Sequence, residues 1–154
     1  MPNDLRAALT AELSTAARKM RKLFDARVRE RGLTLTRART LLLLSRPGPW
    51  TQSDLADALD IEQPSVVRLL DGLERQGLIR RTPAEGDRRV KQIELLPLAR
   101  DQVREIDALV VQMRSVLLRG LTAAEIDIAA KVLRTVSANA EAHGSDGAAE
   151  PPAR

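Results

Sequence analysis

Residues 51–95 read TQSDLADALDIEQPSVVRLLDGLERQGLIRRTPAEGDRRVKQIEL, and the punctuation of this stretch decides the fold. Thr51 with Asp54 three residues on has the pattern of a capping box, in which hydroxyl and carboxylate satisfy each other's first-turn N–H groups. Leu55, Ala58 and Leu59 then supply the apolar face of a short helix. Asp60-Ile61-Glu62 is a tight connection, and Pro64 suits the first turn of a second helix, where its missing N–H costs no hydrogen bond. Val66, Leu69, Leu70 and Leu73 fall on one side of that helix, and Gly77 follows as its C-terminal cap. Residues 78–81 and 90–95 are strand candidates. Between them, residues 82–89 read as a loop from their Pro and Gly content. The stretch is therefore expected to be helix, turn, helix and a hairpin with a basic tip.

Outward from this centre the pattern is helical. Leu5, Leu9, Leu13, Ala16, Met20, Leu23, Phe24 and Val28 recur at three- and four-residue spacing over residues 5–30. Gly32 ends that helix. A second helix begins near Thr36, carries Ala38, Leu41, Leu42 and Leu44, and stops at Pro47-Gly48-Pro49. Downstream, Pro97 opens a helix reaching to about Arg119. Gly120 breaks it, and Thr122 with Glu125 caps a last helix bearing Ile126, Ala129, Val132, Leu133 and Val136. The fold class expected is mainly α with a small antiparallel β-hairpin. Residues 5–30 form an N-terminal dimerisation helix and residues 34–96 a winged helix-turn-helix lobe with its wing at 78–95. Residues 97–141 form C-terminal dimerisation helices, and 142–154 a disordered tail. The homodimer follows from burial, because the central part is too small to cover the apolar faces of the outer helices.

Composition narrows the function classes. In 154 residues, 44% hydrophobic and 30% charged is a globular balance. Phe24 and Trp50 aside, the core must be aliphatic, which suits helix-on-helix packing. No cysteine is present, so thiol nucleophiles, Fe–S clusters and disulfides are excluded, and the single His143 forms no metal cluster. No cofactor is expected. An enzyme is disfavoured, since no nucleophile–base pair, Gly-rich phosphate loop or carboxylate cluster stands out. The polar N-terminus is no signal peptide, and the longest apolar run, 41–44, is too short for a membrane. A cytoplasmic protein with no membrane partner is the expectation.

The net charge of +4 is concentrated in two basic clusters. One holds Arg18, Lys19, Arg21, Lys22, Arg27, Arg29, Arg31, Arg37 and Arg39. The other holds Arg80, Arg81, Arg88, Arg89 and Lys91. In a helix-turn-helix the second helix enters the major groove of DNA. Its exposed positions here are Gln63, Ser65, Val67 and Arg68. Arginine pairs with guanine, while serine and glutamine bond several bases. Arg88 or Arg89, at the hairpin tip, would enter the minor groove. A two-fold dimer would read a palindromic operator in double-stranded DNA.

The whole order, from Thr51-Gln52-Ser53-Asp54-Leu55-Ala56 through Ile61-Glu62-Gln63-Pro64-Ser65-Val66-Val67-Arg68 and Gly77-Leu78-Ile79 to Asp87-Arg88-Arg89 before Ile93-Glu94-Leu95, resembles the MarR family. The Glu-Gln-Pro-Ser-Val-Val-Arg stretch is most similar to its SlyA-type branch. The flanks Arg21-Lys22-Leu23-Phe24 and Gly32-Leu33-Thr34-Leu35-Thr36 agree, so the likeness covers roughly residues 5–140. The resemblance implies dimeric transcription regulators, usually repressors, often released from DNA by small aromatic or lipophilic anions. It places Pro64, Ser65 and Arg68 on the recognition helix, with Gln52 and Ser53 grouped among the DNA-contacting positions. It assigns Arg89 to the minor groove, Asp87 to orienting the Arg89 guanidinium, and Arg88 to a phosphate. It also implies an effector pocket between the dimerisation helices and the DNA-binding lobe, for which Met20, Arg21 and Phe24 are the candidates.

Two departures stand out. Leu95-Leu96 replaces the family's Leu-Thr before the helix after the wing, which should remove a cap worth about 1 kcal/mol. The lack of cysteine and of clustered histidine excludes the peroxide-sensing branch and argues against zinc sensing. The competing reading is a ligand-binding or protein-interaction module of the same fold that has lost DNA binding. Arg68 and the intact Asp87-Arg88-Arg89 stand against it.

Overall fold

The computed structural model describes residues 3–146, apart from the side chains of Asn3, Arg88 and residues 144–146. In chain order the elements are α1 (Asn3–Arg29), α2 (Leu35–Leu44), β1 (Trp50–Thr51), α3 (Gln52–Leu59), α4 (Gln63–Arg75), β2 (Ile79–Ala84), β3 (Asp87–Leu95), α5 (Arg100–Leu117) and α6 (Ala123–Asp146). The chain divides into two compact units, Met1–Met113 and Arg114–Arg154. Among the described residues no helix is long and apolar enough to cross a membrane.

The core of the first unit is aliphatic, as the scarcity of aromatics requires. Leu41, Leu55, Leu70, Leu73, Ile79 and Ile106 are its largest fully buried side chains, so α2, α3, α4, β2 and α5 meet there. The one buried polar residue among them, Thr40, donates its hydroxyl proton to the Thr36 carbonyl at 2.8 Å, which offsets the cost of burial.

Three helices end by the same device. The amide of Leu33 reaches the carbonyl of Val28, Ile61 reaches Ala56 and Leu78 reaches Leu73, at 3.0–3.1 Å, each with a second bond from the preceding amide. This is the Schellman closure, which needs a left-handed residue followed by an apolar one. Gly77, at φ +69°, fills that place after α4. After α3 the place is taken by Asp60, at φ 55°, one of the few side chains that tolerate the left-handed region.

The wing differs from the expected loop. β2 runs to Ala84 and β3 starts at Asp87, so that only Glu85-Gly86 turns. Pro83 is accommodated because β2 lies at an edge of the sheet, whose order is β1-β3-β2, and an edge strand can spare an N–H. The register steps from Pro83 opposite Lys91 to Ala84 opposite Asp87, leaving Arg88, Arg89 and Val90 as a bulge. β1, absent from the expectation, pairs Trp50 with Ile93 and Thr51 with Gln92.

Leu96 offers no side-chain cap, as its residue type requires, and the chain makes a 3-10 turn over Pro97–Ala99 before α5 begins. In the second unit, the Thr122 amide donates to Glu125 at 2.8 Å and the Glu125 amide to Thr122 Oγ1 at 3.3 Å. Those bonds hold the Glu125 carboxyl below its ordinary value, the Thr122 amide contributing most. α6 continues to Asp146, so residues 142–146 are helical where a disordered tail was expected. The rest of that expected tail, 147–154, lies outside the described residues.

One polar contact joins the wing to the helix before it. The Arg81 guanidinium on β2 donates to Asp71 Oδ1 and Glu74 Oε2 of α4, both at 2.5 Å, and its main-chain N–H donates to Glu74 Oε1 at 3.1 Å. The hydrogen bond from Arg81 holds the Glu74 carboxyl below its ordinary value. The same contact raises Arg81, through Glu74 first and Asp71 second. A depressed folded-state carboxylate contributes stability above its unfolded value and loses it as pH falls through the folded one. Glu74→Gln should therefore be less stable than wild type near neutral pH. Urea unfolding at stepped pH should show that gap closing in acid, and a pH-independent gap would remove the carboxylate from the account.

Candidate nucleic-acid interface

The exposed face of α4 is built by what its other face must bury. Val66, Leu70 and Leu73 are in the core, which turns Gln63, Pro64, Ser65 and Arg68 outward and leaves Val67 half-buried. The helix starts on Glu62 without a side-chain cap. In its first turn Pro64 carries no N–H and the Ser65 amide donates to the Glu62 carbonyl at 3.0 Å, which leaves the N–H of Gln63 at the positive end of the helix dipole.

α3 begins beside it. Thr51 and Asp54 form the expected capping box, with the Thr51 amide donating to Asp54 Oδ2 at 2.8 Å and the Asp54 amide to Thr51 Oγ1 at 3.2 Å. The Thr51 hydroxyl, and then its amide, hold the Asp54 carboxyl below its ordinary value. This cap sets the first turn of α3, so Gln52 and Ser53 lie against the start of α4. Gln52 Nε2 donates to Gln63 Oε1 at 3.0 Å, and Gln63 Nε2 reaches Ser53 Oγ at 3.5 Å.

At the wing tip, Asp87 Oδ1 accepts the main-chain N–H of Arg89 at 2.9 Å. The resemblance had implied a contact with the Arg89 guanidinium. The carboxylate instead shapes the backbone, an Asx turn at the start of the bulge. Arg89 is exposed, and the side chain of Arg88 lies outside the described residues.

Many arginines of the two basic clusters have partners within the chain. Arg80 is paired with Glu94 at 2.6 Å and Arg81 with Asp71 and Glu74. In the first cluster, Arg27 pairs with Glu30 and Arg29 with Asp25. Arg39 donates to the carbonyls of Ala58 and Leu59 at the end of α3, and Arg37 to Gln76 and Gln102. Among the described residues, Arg18, Lys19, Arg21 and Lys22 form no ion pair within the chain. Arg18, Arg21 and Lys22 line an open cleft of about 510 Å³ between α1 and the start of α2, with Asp25, Arg29 and Thr34–Thr36 opposite or beside them.

Of the three effector-site candidates only Arg21 lines that cleft. Phe24 packs against the core, and Met20 is exposed elsewhere. Arg18 and Lys22 line the cleft with Arg21, and their i, i+4 spacing beside it puts all three on one helical stripe. No group of three or more acidic, histidine or cysteine side chains that could hold a metal occurs among the described residues.

Comparison with known proteins converges on this arrangement. Residues 33–91 match the model of the MarR family. The solved transcriptional regulator PA3341 is 36% identical, with a TM-score of 0.79 over 86% of this chain and 98% of that one. The transcriptional regulator SlyA shares 21% identity, with a TM-score of 0.73 over 86% of this chain and 93% of its own. BpsR of Bordetella bronchiseptica, whose DNA binding is regulated by 6-hydroxynicotinic acid, shares 24% at a TM-score of 0.70, over 83% of this chain and 91% of its own. A helix-turn-helix with a bulged wing, in a chain this similar over nearly its whole length to a solved regulator, is decisive: the protein belongs to the MarR family of transcriptional regulators.

Proposed function

We propose that the protein is a homodimeric, sequence-specific DNA-binding repressor acting on a palindromic operator. The observation that carries this reading is the wing tip, where Asp87 fixes the backbone of a bulge from which Arg89 projects into solvent. Bulges re-aim side chains. An arginine so presented beside the exposed face of α4 suits a minor groove flanking a major-groove contact. Gln52, Ser53, Gln63, Pro64, Ser65, Val67 and Arg68 form the major-groove and adjoining backbone surface, and Arg88 meets a phosphate.

Dimerisation is supported by apolar side chains that the chain does not cover. Leu5 is 64% exposed, Leu9 52% and Ile128 64%, and Leu133 and Val136 are also open. Exposure on this scale, at both ends of the chain, marks an association surface. A small aromatic carboxylate acts as effector in the cleft lined by Arg18, Arg21 and Lys22, shifting the equilibrium away from the DNA-bound form. The cleft's cationic lining supports this, and regulation of BpsR by a hydroxynicotinic acid is a parallel.

In gel shifts on operator fragments selected from random DNA, Arg89→Ala should weaken binding by about tenfold or more, or roughly 1.4 kcal/mol and upward. Arg154→Ala should leave binding unchanged. Affinity should also fall steeply with salt, by a slope near −0.9 per phosphate contacted. Equal binding by wild type and Arg89→Ala would remove the wing from the interface. Light scattering should give twice the chain mass for wild type and a lower mass for Leu9→Asp/Ile128→Asp; a monomeric wild type defeats the dimer. Aromatic carboxylates should raise the melting temperature of wild type but not of Arg21→Ala. The cleft loses its role if a broad panel stabilises neither.

A further inference from the structure

The polar chain across the starts of α3 and α4 has a direction, and that direction limits what it can recognise. Gln52 Nε2 donates to Gln63 Oε1 at 3.0 Å, and Gln63 Nε2 in turn approaches Ser53 Oγ at 3.5 Å. Both ends of the Gln63 carboxamide are thereby engaged by the preceding helix, although Gln63 itself is exposed. The free capacity lies at the two ends of the chain. Gln52 keeps its whole Oε1 and one N–H, and Ser53, with a lone pair used as acceptor, keeps its O–H as a donor.

We infer that Gln63 is a positioning residue that locks the Gln52 carboxamide, and that the two read one operator position as a unit, with adenine the base that fits. This rests on the DNA-binding reading above. Phosphate oxygens only accept, so a Ser53 hydroxyl meeting the backbone must donate to it and offer its lone pair to Gln63. Gln63 must then present Oε1 to Gln52. Gln52 is left with one acceptor and one donor side by side, the complement of the N6 amine and N7 of adenine in the major groove. A free glutamine would rotate its amide to suit other bases. A held one cannot, and its preference sharpens.

The test is selection from random DNA, followed by affinity measurement, on full-length wild type, Gln52→Ala, Gln63→Ala, Gln63→Met, Ser53→Ala, Ser53→Thr and the Gln52→Ala/Gln63→Ala double variant. Melting temperatures are measured alongside, and Gln63→Met keeps the shape of the side chain without its hydrogen bonds. Wild type should enrich adenine at one position of each half-site. Gln52→Ala, Gln63→Ala and Gln63→Met should each lose that preference at the same position, with affinity down about tenfold, the range of one paired base contact. The double variant should bind no more weakly than the worse single one, since residues acting as a unit are not additive. Ser53→Thr should retain the adenine preference and Ser53→Ala should blunt it. A preference that survives in Gln63→Met, or single losses that multiply in the double variant, overturns the inference while leaving DNA binding intact. Wild type that retains no DNA of any sequence overturns the DNA-binding reading itself, and this inference with it.

Discussion

One guanidinium supplies the charged tie between the wing and α4. Arg81 stands at the first turn of neither helix nor hairpin tip, yet it binds Asp71 and Glu74, one turn apart on the inner flank of α4, and anchors its own amide to the same Glu74. The base of the hairpin is held by Ile79 and Ile93 in the core and by the pairing of β3 with β1, and Arg81 adds a polar tie to α4 beside them. A two-point grip on adjacent turns of the helix, at the rim of the core, fixes both the distance and the angle between α4 and β2. Charge-assisted forks are stronger and more directional than single neutral bonds. The bulge at the far end therefore holds a definite place relative to the exposed face of α4. The position of Arg89 is set from both ends of the wing, by this grip at its base and by Asp87 at its tip.

The same economy governs the helix ends. Each Schellman closure uses the residue after the helix as part of the core, so Leu33, Ile61 and Leu78 are at once the last link of one element and the first of the next. The turn between α3 and α4 is as short as it is because Asp60 accepts a left-handed backbone. Ile61 then packs, and the Glu62 carbonyl accepts the first amides of α4. Gln63 is delivered directly beside Gln52 and Ser53, which the Thr51–Asp54 box has placed from the other side. Capping, usually an accounting matter of unsatisfied amides, here sets which side chains face one another across the helix-turn-helix.

These features differ in how readily they are read from residues alone. The helices, their order and the turn between α3 and α4 follow from local spacing and from Gly and Pro, because caps and periodicity act within a few residues. The strands of the wing do not. Pro83 and Gly86 look like loop residues, and only the sheet order shows that Pro83 sits on an edge where its missing N–H is harmless. β1 is two residues long and exists only because β3 lies beside it. The exposed faces carrying Gln63, Ser65, Arg68 and Arg89 were legible, since exposure follows from which positions the core claims. The bond between Asp87 and the Arg89 amide was not, because it depends on the bulge.

Charge was the least legible property of all. Residue counts made two clusters of equal standing, but the fold employs them differently. Arg80 and Arg81 hold the wing together, and Arg39 closes the end of α3 by bonding its last carbonyls, where the helix dipole already favours a cation. Such arginines lie among acidic and carbonyl partners that the chain itself supplies, so they add little to the field an approaching polyanion feels. Among the described cations without ion pairs, Arg18, Lys19, Arg21 and Lys22 form a compact stripe on α1, Arg68 stands on α4, and Arg89 and Lys91 lie on the outer half of the wing. The α1 stripe and the outer half of the wing can each meet an external anion without first breaking an ion pair within the chain. One is a cleft of small-molecule size and the other a projecting tip. On the proposed function a small anion and a groove-bearing polyanion have separate sites on the same chain, which any coupling between effector and DNA requires.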